Sequence, residues 1–151
     1  MLRSRLNDDL KQAVKAKNKC ETSTLRLILA ALKDRDIAAR GKGDSEGISA
    51  DEILEMLQKM VRQRRDSIEL YEEGGRQELA DKEREEIEVI ERYLPQQLDE
   101  AAMREAIGDL IAELEAQSIK DMGRVMAALK ERFAGRMDFA KASAIVKERL
   151  V

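Results

Sequence analysis

The sequence predicts an all-α fold: an N-terminal helical domain with a long helix hairpin, followed by a small three-helix C-terminal module. Apolar residues recur at helical spacing, and no segment sustains the period-two alternation of a half-buried strand. Aromatic residues make up only 3% of the 151 residues, with no Trp. The core must therefore be built from aliphatic side chains, which is typical of packed helices rather than of β-sandwiches.

Pro95, the only proline of the chain, interrupts this helical pattern. A proline lacks a backbone donor and clashes with the preceding turn, so a helix should end at or before Leu94. Densely charged helical stretches precede it, and shorter amphipathic segments with their own caps follow it. The sequence therefore predicts an N-terminal helical domain over residues 1–94 and a three-helix domain over residues 95–151.

Two helices are predicted before the first glycine-containing loop. The first runs from about Leu2 to Lys17 and has an apolar stripe at every fourth residue, formed by Leu6, Leu10 and Val14. The second begins near Ser23, where three consecutive hydroxyl residues offer N-caps, and ends near Arg40, before Gly41–Asp44. Its apolar face comprises Leu25, Ile28, Leu29 and Leu32.

A capping box predicts the start of a long helix, because Ser49 at the N-cap is followed by Glu52 at the third helical position. Gly74-Gly75 ends that helix, and a second helix runs from about Gln77 to Leu94, so that the pair forms an antiparallel hairpin. Its inward residues are Ile53, Leu57, Met60 or Val61, Ile68, Leu79, Ile87, Ile90 and Leu94. The exposed face of the second helix is expected to be acidic, with Asp81, Glu83, Glu85, Glu86, Glu88 and Glu91.

Three capping residues predict the three helices after Pro95. Asp99 caps the first, Ser118 with Asp121 caps the second, and Asp138 caps the third. Gly135 follows the second helix at the position where a left-handed residue commonly ends a helix. The apolar stripes are Met103, Ile107, Leu110, Ile111 and Leu114; then Met122, Val125, Met126, Leu129 and Phe133; then Phe139, Ala142, Ile145, Val146 and Leu150.

Charge is unevenly distributed along the chain, although the net charge is only −3. Residues 1–42 hold 11 Lys/Arg against 5 Asp/Glu, whereas residues 43–94 hold 8 against 16. Residues 95–115 hold 1 against 6, and residues 116–151 hold 8 against 4. Two basic ends flanking an acidic middle favour a polyanionic partner, and the alternative is that solvated helices simply alternate in sign.

Few side chains suited to catalysis are present. The chain has no His and a single Cys, Cys20, which excludes an intrachain disulfide, a cysteine-based zinc site and any His-activated nucleophile. Cys20 is expected in an exposed turn, where Lys17 and Lys19 could lower its pKa, or where it is incidental. Neighbouring carboxylates such as Glu85 and Glu86 point apart on a helix and suit a solvated face better than an acid–base pair. No catalytic residue, metal ligand or cofactor is therefore predicted.

Three basic groups are candidates for contacts with nucleic-acid phosphates. The first is Arg62, Arg64 and Arg65, of which two share a face. The second is Lys11, Lys15 and Lys19, predicted on one side of the first helix. The third is the C-terminal set, which we take as the RNA-binding candidate: Lys120, Arg124, Lys130, Arg132, Arg136, Lys141 and Lys147. Salt bridges with acids such as Asp121 and Glu131, or binding of a partner helix, remain alternatives.

Gly123 lies within the predicted helix that carries Lys120 and Arg124 near its start. Gly costs about 1 kcal/mol relative to Ala in a helix, so its presence needs a reason. Either a neighbouring helix packs closely there, which we expect, or a nucleic-acid phosphate approaches the bare backbone.

Several motifs together resemble the GatB/YqeY family, and in particular its free-standing YqeY-like members. They are Tyr93-Leu94-Pro95-Gln96-Gln97-Leu98, Ser118-Ile119-Lys120-Asp121-Met122-Gly123-Arg124-Val125-Met126, Gly135-Arg136-Met137-Asp138 and Val146-Lys147-Glu148. Leu25–Lys33 and Gln63–Ile68 resemble the N-terminal part of these proteins. Met137 and Phe139 depart from the family pattern, and we expect these changes to affect packing.

This resemblance implies that residues 95–151 are similar to the tail domain of the B subunit of the tRNA-dependent amidotransferase, a module that helps to hold tRNA. Free-standing members are often described as carbon–nitrogen ligases with glutamine as amide donor. The residues of this chain argue against its carrying that activity alone, because no nucleotide-binding loop, amidase Ser-Ser-Lys context or metal set is present. We therefore expect a non-catalytic tRNA-binding or accessory protein, or alternatively an adaptor that docks on an amidotransferase or another protein complex.

The expected location is cytoplasmic, with no membrane as partner. No segment approaches the roughly 18 continuous apolar residues of a membrane helix, and no signal-peptide pattern opens the sequence.

Overall fold

The computed structural model describes residues 1–151 and contains helices without strands. This confirms the all-α prediction. The α-helices are α1 Leu2–Lys15, α2 Lys19–Gly41, α3 Ala50–Glu73, α4 Gln77–Glu91, α5 Glu100–Glu113, α6 Met122–Arg132 and α7 Phe139–Leu150, with a 3₁₀ turn at Ile119–Asp121. None of the helices is long and apolar enough to cross a membrane.

The helices form two compact units, Met1–Leu94 and Pro95–Val151. The core of the first unit comes from α1 to α4, the loop before α3 and Tyr93, and that of the second from α5 to α7 and Met137. The assignment of two domains to residues 1–94 and 95–151 stays a prediction, which expression of each segment alone would test.

The inward stripe of α1 differs from the predicted one at its last position. Leu6 and Ala13 are buried, whereas Val14 is 47% exposed. At about 100° per residue, Val14 lies roughly 80° from Leu6 around the helix axis, whereas Ala13 lies only about 20° away. Strict spacing of four therefore drifts off the core face, and α1 also ends at Lys15 rather than Lys17.

The predicted start of α2 near Ser23 is wrong. Asn18 is the N-cap, since its side-chain oxygen accepts the backbone N–H of Glu21 at 3.1 Å and its amide donates to the Glu21 carboxylate at 3.1 Å. Thr24 is instead fully buried within the helix. Cys20 accordingly lies in the first turn of α2, half-buried, and burial raises its pKa rather than lowering it.

The predicted capping box at the start of α3 is confirmed. Ser49 Oγ accepts the backbone N–H of Glu52 at 3.2 Å, and the Glu52 carboxylate accepts the backbone N–H of Ser49 at 3.2 Å. α3 and α4 pack closely as a hairpin. α4 ends at Glu91, three residues earlier than predicted, because Tyr93 and Leu94 adopt a turn in which their N–H groups donate to the carbonyls of Ile90 and Glu91.

The prediction that Glu86 is exposed is also wrong. Its carboxylate accepts a hydrogen bond from Arg64 Nε at 2.9 Å, and the side chains of Glu86 and Arg64 are only 11% and 13% exposed. The charge is buried because its partner projects from α3, which the periodicity of α4 alone does not reveal.

The loop between α2 and α3 is held by a buried carboxylate. Asp36 Oδ1 accepts the backbone N–H of Ile48 at 2.9 Å and Arg3 Nη2 at 2.7 Å. The same Arg3 nitrogen donates to the Ile48 carbonyl at 2.8 Å. Gly47 adopts φ +87°, and a Cβ there would lie 2.3 Å from Asp36 Oδ1. One glycine therefore lets the loop close onto the ion pair.

The predicted caps at Asp99 and Asp138 are confirmed, whereas the predicted pair of Ser118 and Asp121 caps the 3₁₀ turn that precedes α6 rather than α6 itself. Asp99 accepts the N–H of Ala102 at 2.7 Å, Asp138 that of Ala140 at 2.9 Å, and Asp121 that of Ser118 at 3.4 Å. Of the two positions that depart from the family pattern, Met137 is fully buried and Phe139 is half-buried, so both contribute to packing.

Candidate nucleic-acid interface

Arg64 and Arg65 of α3 are occupied within the first unit. Besides Glu86, Arg64 lies 3.9 Å from Glu83 and donates to the Met60 carbonyl at 3.2 Å. Burial, and secondarily the charge of Glu86, raises the pKa of Glu83. Arg65 pairs with Glu91 of α4 at 3.0 Å. The ion pairs join α3 to α4, so Arg64 and Arg65 stabilise the hairpin.

The predicted N-terminal lysine stripe is divided between two helices. Lys11 and Lys15 are exposed on α1, but Lys19 is the first residue of α2. The helix break at Lys17, which has φ 57°, interrupts the spacing of four on which the prediction depended.

The C-terminal set is distributed over several elements. Lys120 lies in the 3₁₀ turn, and Arg136 lies in the segment between α6 and α7. The remaining members belong to helices: Arg124, Lys130 and Arg132 to α6, and Lys141 and Lys147 to α7.

Two arginines of this set are held by neighbouring groups of the second unit. Arg132 forms a two-pronged ion pair with Glu113 of α5, with N–O distances of 2.7 and 2.8 Å. This pairing lowers the pKa of Glu113. Arg136 donates to the Gln96 carbonyl at 3.3 Å, and its guanidinium lies 5.9 Å from the centre of the Phe133 ring. The structure therefore gives both residues intramolecular roles.

Arg124 has a weaker local tie. It donates to Asp121 at 3.0 Å, and its side chain remains 52% exposed. Hydrogen bonds to the carboxylate, first from the backbone N–H of Gln117, lower the pKa of Asp121. The carboxylate is thus held ionised at the start of α6, and Arg124 can turn from it to another anion at little cost because the pair is solvated.

The four lysines of the C-terminal set are exposed and have no carboxylate within ion-pair distance; they are Lys120, Lys130, Lys141 and Lys147. Lys141 and Lys147 are six residues apart, which places them about 120° apart around α7. Lys130, by contrast, is seven residues from Gly123 and shares its side of α6. The structure thus brings together Lys120, Gly123, Arg124 and Lys130, at the start and along the outward side of α6. We call these four residues the α6 face.

Gly123 does not pack against another helix, so the expected close contact is wrong. A Cβ at this position would meet nothing within 4 Å. Val125 and Leu129 are fully buried and define the inward side of α6, and Gly123 lies about 160° from Val125. The glycine is therefore a bare patch of backbone on an exposed helix, bordered by cations.

Sequence reasoning missed Arg149, which fills the space above another glycine. A Cβ on Gly108 of α5 would lie 2.7 Å from Arg149 Nη1. The sequence does contain a signal for this contact, because Gly108, like Gly123, is a glycine within a predicted helix. Arg149 therefore covers α5 within this unit and does not extend the α6 face.

The α6 face offers hydrogen-bond donors and positive charge to an anionic ligand, together with close access to backbone. Elsewhere, one of the two neighbouring carboxylates considered for acid–base work is engaged, because Glu86 pairs with Arg64. No group of three or more His, Cys, Asp or Glu side chains is arranged to hold a metal ion.

Comparison with known proteins finds relatives in yeasts. The chain is 35% identical over 111 residues to "Altered inheritance of mitochondria protein 41, mitochondrial" of Lachancea thermotolerans, covering 72% of this chain and 57% of the relative. It is 37% identical over 95 residues to the protein of that name in Saccharomyces cerevisiae, covering 62% and 48%. The Clavispora lusitaniae protein is 36% identical over 118 residues, covering 76% and 65%. The chain thus matches about half to two thirds of the length of these relatives.

The expected cytoplasmic location is contradicted by these relatives, which are named as mitochondrial proteins. That expectation depended on the lack of a signal-peptide pattern and of a membrane segment, and neither feature distinguishes the cytoplasm from the mitochondrial interior.

A family model gives the broadest match. The model described as "Yqey-like protein" matches residues 3–150, which includes nearly all of both compact units and every residue of the seven α-helices except Leu2. The motifs on either side of Pro95 thus belong to one continuous match, and the predicted resemblance is confirmed. This chain belongs to the YqeY-like family.

Proposed function

We propose that this chain is a non-catalytic RNA-binding or accessory protein that binds tRNA through the α6 face. The observation that carries the proposal is Gly123, an exposed helical glycine with open space where a side chain would be. Packing does not explain it, and Gly costs up to about 1 kcal/mol relative to Ala in a helix, with a smaller cost in the first turn, where Gly123 lies. A ligand that approaches the backbone closely would explain it.

Charge around the glycine favours a phosphate as that ligand. Lys120 precedes it by one turn, Arg124 follows it directly, and Lys130 lies on the same side two turns later. Long basic side chains on a helix suit the phosphate backbone and carry little sequence information. Both aromatic residues of this unit, Phe133 and Phe139, pack against the core, so stacking of unpaired bases has no platform here.

The choice of tRNA comes from the resemblance of residues 95–151 to the amidotransferase tail domain. In this role the chain assists glutamine-dependent amide transfer, a carbon–nitrogen ligase reaction whose catalytic groups belong to other subunits. Purified chain supplied with glutamine, ATP and Glu-tRNA should form no Gln-tRNA by itself. Formation of Gln-tRNA would show that the chain is the enzyme.

Binding is best tested by fluorescence anisotropy with labelled tRNA at about 50 mM salt, where phosphate contacts are strong. The variant Lys120→Glu/Arg124→Glu should weaken binding and lower the logarithmic salt slope by about one for each phosphate that the two side chains contact. A matched control, Lys59→Glu/Lys82→Glu, makes a similar charge change at two exposed lysines of the first unit. Absence of tRNA binding by the unaltered chain would refute the proposal.

Gly123→Ala separates the proposed role from a purely structural one. Since the added Cβ meets nothing, the substitution should stabilise the second unit by at most about 1 kcal/mol while weakening tRNA binding. A stabilised variant that binds tRNA as well as the unaltered chain would remove the observation on which the proposal depends.

A second candidate function is that of a protein-interaction adaptor, and the exposure of Ile119 favours it. This side chain is 47% exposed beside Lys120, and exposed apolar residues near charge are common in protein contacts. Capture of an amidotransferase subunit that survives nuclease treatment and is abolished in Ile119→Ser would favour the adaptor over RNA binding.

A further inference from the structure

A row of cations runs along α2, in the unit that lies outside the proposed tRNA site. Lys19, Arg26, Lys33 and Arg40 follow one another at intervals of seven residues. Seven residues are close to two helical turns, so the four side chains share one side of α2 and span about 31 Å. All four residues are exposed. We call this row the α2 basic stripe.

The stripe points away from the core of its unit. Leu25, Ile28 and Leu32 are buried and define the inward side of α2. Arg26 lies about 160° and Lys33 about 140° from Ile28 around the helix axis. Because the opposite side of α2 packs against the core, the side that carries the stripe faces solvent.

No carboxylate neutralises the stripe. None of its four cations has a carboxylate oxygen within 4.0 Å, although at least ten of the chain's arginines are paired in this way. Of the two aspartates in the second half of α2, Asp36 is buried against Arg3, where Arg40 adds only a weak attraction. Asp34 lies about 100° from Lys33 around the axis.

The position of Lys19 adds to this pattern. It is the first residue of α2, where the positive end of the helix dipole disfavours a cation. Local helix stability therefore does not explain a lysine there, whereas continuation of the stripe does.

We propose that the α2 basic stripe is a second contact surface for the phosphate backbone of double-stranded RNA, read without regard to base sequence. Cations spaced about 10 Å apart along one straight side can each meet a phosphate. α2 has no aromatic residue, so it offers no stacking platform for single-stranded bases.

A protein partner fits the stripe less well. The cores of protein interfaces are depleted in charge and enriched in aromatic residues. The stripe instead repeats a cation every second turn. Of the exposed large apolar side chains of α2, Ile37 (55% exposed) lies between the cations, and Leu27 (49% exposed) lies about 100° from Arg26 around the axis. Ala30, which also lies between the cations, is small and lets a phosphate backbone approach.

The test uses the full chain and a 20-base-pair RNA duplex of arbitrary sequence, with anisotropy measured between about 50 and 200 mM salt. Arg26→Glu/Lys33→Glu should weaken duplex binding at least about tenfold at the lower salt and reduce the logarithmic salt slope by about two. Arg26→Lys/Lys33→Arg, which keeps both charges, should bind as the unaltered chain does. Lys59→Glu/Lys82→Glu controls for bulk charge, and circular dichroism checks that each variant is folded.

Three results would overturn the inference: no duplex binding by the unaltered chain, equal weakening in the control variant, or unchanged binding in the stripe variant. Unchanged duplex binding with loss of a nuclease-resistant protein partner would identify the stripe as a protein surface instead. The proposed tRNA site is judged separately, by Lys120→Glu/Arg124→Glu. Duplex binding that depends on the stripe supports the inference even if tRNA binding proves independent of the α6 face.

Discussion

Replacing Gly47 by Ala should destabilise the first unit more than the same change at any open glycine of positive φ. Gly47 has φ +87°, and a Cβ built there would lie 2.3 Å from Asp36 Oδ1 and 3.2 Å from Arg3 Nη2. The backbone conformation and the neighbouring atoms of Asp36 and Arg3 therefore both oppose a side chain at position 47. Asp36 cannot simply move aside, because it holds Arg3 and the backbone N–H of Ile48.

The size of the effect has two parts. An alanine at positive φ costs about 1–2 kcal/mol. Displacing Asp36 weakens hydrogen bonds that involve a charge, each worth about 1.5–3 kcal/mol. Gly47→Ala should thus lower the free energy of unfolding by about 3 kcal/mol, from the backbone cost and one weakened bond. Gly43→Ala, at φ +99° with nothing within 4 Å of its Cβ, should show the backbone cost alone.

Tyrosine fluorescence during urea unfolding measures the first unit selectively. Both tyrosines of the chain, Tyr71 and Tyr93, belong to it, and the second unit has no tyrosine or tryptophan. With a urea m-value of about 1–2 kcal/mol/M, the unfolding midpoint of Gly47→Ala should lie on the order of 1 M below that of Gly43→Ala. Equal midpoints for the two variants would show that the contact with Asp36 does not oppose the side chain.

Three further outcomes can be measured with the same fluorescence signal. The hydrogen bond from Arg3 lowers the pKa of Asp36 in the folded state, so its stabilising effect is present above about pH 4 and disappears as pH falls further; Asp36→Asn should reduce this acid sensitivity. Glu86→Gln removes the nearer of the two carboxylates of Arg64 and leaves Glu83 at 3.9 Å, so it should cost about 3 kcal/mol, the lower end for a broken buried pair, and a cost below about 1 kcal/mol would contradict the buried pair. Val14→Lys should change stability by less than about 0.5 kcal/mol, because the side chain faces solvent; a larger destabilisation would restore the stripe predicted from sequence.

The fold could be predicted where short-range interactions determine it. The capping box of Ser49 and Glu52, and the caps at Asp99 and Asp138, join side chains to backbone groups two or three residues away. Such contacts can be inferred from a few consecutive residues. The start of α2 was missed because Thr22-Ser23-Thr24 offered several caps, whereas Asn18 has a glutamate three residues later and completes a reciprocal pair.

The candidate site was only partly predictable, because the state of each basic side chain depends on other helices. Arg132 is paired with Glu113, 19 residues away, and Arg64 with Glu86, 22 residues away. Sequence spacing identifies which cations share a side of one helix, but it does not show which are already neutralised across a helix–helix contact. Of the seven residues predicted to bind RNA, our proposal therefore keeps Lys120, Arg124 and Lys130, and their role in binding stays a prediction.

Glycine shows most clearly what the structure adds. Gly47 and Gly123 look alike in sequence, since each lies near charged residues in a mostly helical chain. Gly47 is required by the fold, because its backbone conformation and its neighbours exclude a side chain. Gly123 has helical backbone and open surroundings, so the fold would be more stable with alanine. We propose that a partner outside the chain accounts for a glycine that the fold does not need on a surface bordered by cations, and the opposite stability changes expected for the two alanine variants test which of the two glycines the fold needs.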